Sequence, residues 1–235
     1  MIYMKTIKYL IAFALFIMLG TSCQDNENWR IIPYEPEPSV PIEGPEFLLV
    51  VGNHQSWNPG AEVIGKVYPV DADGNYAGYA YLDGEFKFTS QNNWDGTNYG
   101  SGDAEGSLST DAQAGNLTKD KGYYYITVNI KDLTYKADLR NFGVIGSATS
   151  GGWNDDTDLV YDPSDLKLKV TTTLTDGEIK FRANDAWDVE FGDFGAGEKE
   201  GELAAKGGNI PVSAGDYQIV VDLSNPSYTY ELIKQ

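Results

Sequence analysis

The chain repeats itself. Displaced by 93 residues, the stretch from Gly84 to Tyr135 matches that from Gly177 to Tyr228 at 16 of 52 positions without a gap. Gly84-Glu85-Phe86-Lys87-Phe88 falls on Gly177-Glu178-Ile179-Lys180-Phe181, and Trp94-Asp95 falls on Trp187-Asp188. Gly115-Asn116-Leu117 falls on Gly208-Asn209-Ile210. Gly122-x-Tyr124-x-Ile126-x-Val128 falls on Gly215-x-Tyr217-x-Ile219-x-Val221, and Tyr135 on Tyr228. Upstream, with small shifts, Leu49-Val50-Val51-Gly52-Asn53 and then Trp57 answer Gly143-Val144-Ile145-Gly146-Ser147 and then Trp153. A unit of this length is a duplicated domain and not one turn of a solenoid. The expected modules are residues 46–137 and 138–235, with the boundary near Lys136 to Arg140.

Each module reads as all-β. Short runs of β-branched and aromatic residues recur between Gly, Asn and Asp clusters, and few segments carry a helical period. A first strand is expected at Phe47–Val51 and at Phe142–Ile145, each followed by a Gly and a polar loop holding a Trp. Lys66–Val70 and Tyr76–Leu82 flank Asp71-Ala72-Asp73-Gly74-Asn75, an Asp-Gly turn suited to a hairpin. Leu166–Leu174 is the equivalent strand of the second module. Glu85–Thr89 and Glu178–Arg182 form a further strand, with Phe86 and Phe88 on one face and Lys87 or Lys180 on the other. The closing strands alternate strictly: Tyr124, Ile126, Val128, Ile130, and Tyr217, Ile219, Val221, Leu223. Two tandem immunoglobulin-like β-sandwich modules are the expected fold.

Residues 1–22 are set apart from that fold. Lys5 and Lys8 precede an apolar run that ends near Leu19, and Gly20, Thr21 and Ser22 lead to Cys23, the one cysteine of the chain. This is the layout of a secretory signal peptide, with an apolar run too short to span a bilayer. Small residues before a lone Cys suit a lipoprotein signal peptidase, so Cys23 is the expected lipidation site and 1–22 the expected signal. Met4 is a second candidate start. Residues 23–45 carry Pro33, Pro36, Pro38, Pro41 and Pro45 with Glu35, Glu37 and Glu43 between them. Proline favours extended polyproline II, so this stretch reads as a semi-rigid tether.

Charge narrows the partners. The formal net charge is −18, and it is two charges more negative once Lys5 and Lys8 are removed. Such a surface repels nucleic acid and anionic lipid head groups and disfavours acidic polysaccharides. No nucleic-acid partner is expected, and the only expected membrane contact is the lipid anchor.

The strand-Gly-loop-Trp opening, the Gly-Glu-[Phe/Ile]-Lys-Phe strand with a Trp seven residues after its Lys, the Gly-Asn-[Leu/Ile] step and the closing strand resemble the SusE/SusF family of outer-membrane starch-binding lipoproteins. The resemblance covers nearly all of residues 46–235. The acidic stretch after Cys23 resembles the export signal that sends such lipoproteins to the outer face of the outer membrane. Better-known family members are longer, with an extra N-terminal domain and commonly more modules. The resemblance implies polysaccharide binding, an α-glucan first, by one site per module, with two aromatics cradling the glycan and a basic residue beside them. It also implies a place beside an outer-membrane nutrient transporter complex.

Carried onto this chain, the second module offers Trp153 and Trp187 as the platform, with Lys180 and Arg182 beside them and Asn209 as a weaker candidate. The first offers Trp57, Trp94, Lys87 and Asn116. It departs from the second at Thr89, where Arg182 stands, and at His54-Gln55-Ser56-Trp57 against Ser150-Gly151-Gly152-Trp153, so its site is expected to be the weaker. Aromatic rings stack on sugar C–H faces and Lys, Arg or Asn bond hydroxyls. The same residues have plainer readings. The Trp could pack in the cores, the Lys could be solvated strand residues, and the Gly-Asn steps could be turns. Asp71, Asp73, Asp155, Asp156 and Asp158 read as exposed turns in preference to a Ca²⁺ loop. No cofactor, metal or catalytic residue is expected. A Ser-His-Asp triad has only His54 to draw on, and a glycosidase would need two carboxylates across a cleft built on this small repeat. The rivals kept open are a protein-interaction subunit of a nutrient transporter complex and, remotely, a glycoside hydrolase.

Overall fold

The computed structural model describes residues 44–235; the signal, Cys23 and nearly all of the tether lie outside the described residues. The alternation of apolar and polar residues produces strands almost throughout. The first module holds β1 (Leu48–Gly52), β2 (Lys66–Pro69), β3 (Asn75–Thr89), β4 (Asn98–Ser101), β5 (Leu108–Ser109), β6 (Leu117–Asn129) and β7 (Thr134–Leu139). The second holds β8 (Phe142–Ile145), β9 (Thr157–Asp158), β10 (Val160–Asp162), β11 (Lys167–Leu174) and β12 (Gly177–Ala183). It continues with β13 (Asp193–Ala196), β14 (Leu203–Ala205), β15 (Ile210–Val212), β16 (Gly215–Asp222) and β17 (Thr229–Lys234). A single 3-10 turn, Asn53–Gln55, is the one helical piece among the described residues.

All pairings are antiparallel. In the second module a four-stranded sheet, β10-β11-β16-β17, faces a sheet of order β14-β13-β12-β8-β9 with β15 beside β12. Leu168, Leu174, Ile219 and Val221 from the first meet Val144, Ile179, Phe181, Phe194 and Ile210 from the second. The first module repeats this layout with two of its strands unbroken, β3 and also β6, which spans the positions that β15 and β16 hold in the second. The expected separate strands at Tyr76–Leu82 and Glu85–Thr89 are one strand of 15 residues, β3. It crosses from one half of the sandwich to the other through an irregularity between Leu82 and Gly84, and Gly84 takes a left-handed φ of +85°. Such bends are how strands turn the corner of a sandwich. In the second module the same corner breaks the chain into β11 and β12.

The repeat needs one correction at its end. Tyr135 was paired with Tyr228 by the ungapped displacement, but the structure pairs Val128 with Tyr135 and Val221 with Tyr230. Tyr135 packs edge-on to Phe86, as Tyr230 packs on Phe181. The loop before β17 is longer than the loop before β7, and this frees Tyr228 for another role.

That role is at the junction of the two repeats. Along β3 and β6, Tyr76, Ala80, Leu82, Tyr124, Ile126 and Val128 point into the first core. Period 2 then sends Tyr79, Tyr81, Tyr123 and Tyr125 to the opposite face, where they join the second core. Tyr79 is 1% exposed and lies within 5.0 to 6.3 Å of the rings of Tyr123, Tyr125, Phe142, Phe194 and Tyr228. Its hydroxyl donates to the carbonyl of Phe191. By register the same face of the second module carries Thr171, Thr173, Asp216 and Gln218, which are polar and mostly exposed. Only Arg140 and Asn141 separate β7 from β8. Arg140 is buried, donating to the carbonyls of Leu139 and Glu190 at 3.0 Å each. Residues 44–235 therefore belong to one compact unit.

His54 borders this junction. It lines a cavity of about 30 Å³ with Tyr79, Tyr81, Tyr123 and Tyr161. Its Nε2 lies 3.2 Å from the carbonyl oxygen of Val50, and Nδ1 is buried without a partner. Burial pushes its pKa below the ordinary 6.5, against the opposing effects of the Val50 carbonyl and Asp83.

Two outcomes are expected. Tyr79→Ala removes a large side chain from a packed junction and should cost about 3 to 5 kcal/mol in denaturant unfolding; a loss below about 1 kcal/mol would contradict the packing role. For His54 the unfolded chain takes up a proton first, so stability rises with pH in the window just below 6.5. The melting temperature should drop between about pH 7 and about pH 5, and His54→Gln should flatten that drop. An equal drop in the variant would remove His54 as its source.

Candidate functional site

The end of each first strand positions one Trp. Gly52 and Gly146 lie so close to the neighbouring strand that a Cβ would sit 2.3 Å from the carbonyl oxygen of Glu85 and 2.0 Å from that of Glu178. Only glycine permits that approach. The chain then turns through left-handed residues, Ser56 and Trp57 in the first module and Gly152 in the second. A second Trp comes from the loop after the lysine-bearing strand. The result is the same pair twice. Trp57 and Trp94 have ring centroids 6.3 Å apart and planes 37° apart; Trp153 and Trp187 are 6.1 Å and 45° apart. Trp94, Trp153 and Trp187 are 39%, 37% and 41% exposed, and Trp57 is half-buried. Trp94, Trp153 and Trp187 stand outside the cores, whereas Trp57 also packs on the small cluster of Leu49, Val51 and Ile64. Two tilted indoles with open faces form a shallow apolar cradle rimmed by polar groups.

In the first module the cradle opens a groove of about 660 Å³. Lys87 and Asn116 line it, together with Asn98, Thr110 and Asp111, which the sequence did not single out. Lys87 donates to the carbonyl of Ala114 at 2.8 Å. Asn116 donates to Glu85 at 3.1 Å, and Trp57 Nε1 donates to Asn53 at 2.8 Å. Thr89 is fully buried beneath the loop that carries Trp94, its hydroxyl facing the carbonyls of Gln91 and Asn93.

The second module is wired differently. Lys180 lies 5.4 Å from the Trp187 ring, and its Nζ is 2.6 Å from Asp193 Oδ1 in an ion pair too bent for a hydrogen bond. Asn209 donates to Glu178 at 2.8 Å. Arg182 was expected to reach hydroxyls from the outward face of its strand. It does lie on that face, but it is buried, donating to Asp156 at 2.8 Å and to the carbonyl of Asn154 at 3.0 Å. A buried charge must be paired, and Asp156 supplies the pairing. The guanidinium sits over the Trp187 ring at 5.3 Å, so Arg182 helps hold that indole by a cation–π contact. The reading of Asp155, Asp156 and Asp158 as exposed turns is corrected at Asp156 alone, whose side chain is only 4% exposed; Asp155 and Asp158 are exposed. Asp71, by contrast, sits in its hairpin turn and accepts from Asp73 and from Asn75.

Each module is thus a β-sandwich with a surface indole pair, one ring of the first pair half-buried, beside a lysine. This defines a class, the tandem β-sandwich with one aromatic platform per unit. Residues 141–231 match the family described as "SusF/SusE starch specific CBMs", and residues 44–139 match one described as a domain of unknown function (DUF5111). The resemblance to the SusE/SusF family therefore stands, carried by the second module. A crystal structure of SusF from Bacteroides thetaiotaomicron is similar over 83% of this chain and 50% of that one, at 18% identity and a TM-score of 0.33. The chain spans about half the length of that protein. No curated protein matches.

The buried ion pair generates a prediction. Arg182→Ala leaves Asp156 buried and unpaired and should cost about 3 to 5 kcal/mol in denaturant unfolding, with Asp156→Asn in the same chain recovering part of it. Trp187→Ala, at an exposed position, should cost about 1 kcal/mol. If Trp187→Ala were the more destabilising change, the indole would be a packing residue and not a platform.

Proposed function

We propose that this chain is a non-catalytic, cell-surface lipoprotein that binds polysaccharide, with starch or a related α-glucan as the favoured ligand. The observation that carries the reading is the duplicated Trp pair, set at nearly the same spacing and tilt in both modules. A packing requirement would bury these indoles. Stacking on the C–H faces of a sugar chain needs them open, with donors at the rim for hydroxyls. The family description of residues 141–231 points to the same ligand class.

In this reading Trp57, Trp94, Lys87 and Asn116 serve one site in residues 46–137. Trp153, Trp187, Lys180 and Asn209 serve another in residues 138–235, and Arg182 is a positioning residue. Lipidation at Cys23, the outer-membrane location and the supply of glycan to an uptake complex belong to the same proposal. They rest on the residues quoted above and on the family resemblance.

The test is affinity electrophoresis of the chain from Gln24 onward in gels holding starch, pullulan, dextran, xylan, levan or mannan. Starch or pullulan should retard it. Trp57→Ala with Trp94→Ala and Trp153→Ala with Trp187→Ala should each reduce retardation, and all four together should abolish it while the chain still unfolds in one cooperative transition. Retardation by another polysaccharide would keep the mechanism and change the ligand. No retardation in any gel would end the reading and leave a protein-interaction role.

A further inference from the structure

The two platforms share their indoles and their lysine but differ in what the lysine does. Strand pairing fixes the comparison. Thr89 pairs with Asn98 and Arg182 with Asp193, so Asn98 and Asp193 occupy one position of the repeat. In the second module Asp193 holds Lys180 at 2.6 Å, with both side chains largely buried, at 12% and 14% exposure. In the first, Asn98 donates to the carbonyl of Trp94 at 2.9 Å and its Oδ1 accepts no hydrogen bond among the described residues. Lys87 has the carbonyl of Ala114 as its partner and makes no ion pair among the described residues. An ammonium carries three donors, so Lys87 keeps two of them for the groove.

We propose that the residue at this position decides which module leads in binding. Asn98 leaves the Lys87 ammonium available to the hydroxyl pair of a neutral sugar chain, which makes the first module's groove the principal site. Asp193 holds Lys180 in an internal pair that a ligand must displace, which makes the second platform the weaker one. This rests on the proposed glycan binding and reverses the order expected from sequence. Neutral chains remain the ligand class, because Asp111 and Glu85 flank Lys87 and the whole chain carries −18.

The ion pair with Asp193 holds and neutralises the Lys180 ammonium before a ligand arrives, whereas the neutral Ala114 carbonyl leaves the charge of Lys87 uncompensated, and charged donors make the stronger polar contacts. Exchanging the amide and the acid should move the free ammonium from one module to the other with almost no change in side-chain volume.

The experiment is a reciprocal exchange, read by calorimetric titration with maltoheptaose and by retardation in starch gels. With the second platform silenced by Trp153→Ala and Trp187→Ala, Asn98→Asp should weaken binding about tenfold. With the first silenced by Trp57→Ala and Trp94→Ala, Asp193→Asn should strengthen it about tenfold. Before any exchange, the chain keeping only the first platform should bind more tightly than the chain keeping only the second. A gain of affinity is an outcome that misfolding cannot imitate, and melting curves check that Asn98→Asp remains folded. If the parent chain binds and both exchanges leave affinity unchanged, the assignment of Lys87 and Lys180 is overturned while the glycan reading survives. If the parent chain binds neither maltoheptaose nor starch, and no other polysaccharide retards it, both are overturned.

Discussion

Both candidate sites depend on a close approach of two backbones. Gly52 and Gly146 end their strands against the carbonyls of Glu85 and Glu178, with no room for a side chain between. The contact brings the first strand of each module within a turn of the strand that carries the lysine. Trp57 then leaves the first strand beside Trp94, and Trp153 beside Trp187. Without it, the two indoles would belong to unrelated loops. A rigid strand pair fixes the spacing of the platform, and the loops have only to present the rings. Sites built on strands hold geometry better than sites carried by loops alone.

The duplication has been made unequal in a physically intelligible way. A sandwich has two outer faces, and in a tandem pair one of them can be covered by the neighbour. The first module places four tyrosines on that face, and the second places Thr171, Thr173, Asp216 and Gln218 there. Tyrosine suits a covered face because its ring buries a large apolar area while its hydroxyl can bond to the adjoining chain, as Tyr79 does with Phe191. Polar residues suit a face that no other module covers among the described residues. The pKa values follow the same division. Burial among rings drives the hydroxyl of Tyr123 far above its ordinary value and pushes Tyr228 up to about 12.

Much of this was legible in the sequence, and for clear reasons. The repeat, the all-β class, the two Trp in each unit and the outward lysines follow from the period of 2 and from the 93-residue displacement, which are local or near-local patterns. What was hidden depends on long-range contacts. Tyr79, Tyr81, Tyr123 and Tyr125 looked like the polar-side partners of core residues, and nothing local says that a second module covers them. Arg182 lay on the correct face, but its burial depends on Asp156, twenty-six residues upstream and placed by a different loop. The pairing of Tyr135 with Tyr230 was masked by a loop of different length. Asn98 and Asp193 were missed for a related reason: the loop after Trp187 is longer than that after Trp94, so an ungapped comparison never sets them side by side.

The junction also bears on how two shallow sites act together. A flexible linker would let the second site search a volume around the first, and its effective concentration would fall as the linker lengthened. Here the linker is Arg140 and Asn141, Arg140 is held by two carbonyls, and a wall of aromatic rings fills the space between the modules. The separation and angle of the platforms are therefore set by packing. A rigid pair gains most from a ligand that repeats at a matching interval and gains little from one that does not. Long regular glycans are such ligands, whereas short oligosaccharides reach one platform at a time. If both platforms bind glycan as proposed, the packed junction favours a long chain over a short one.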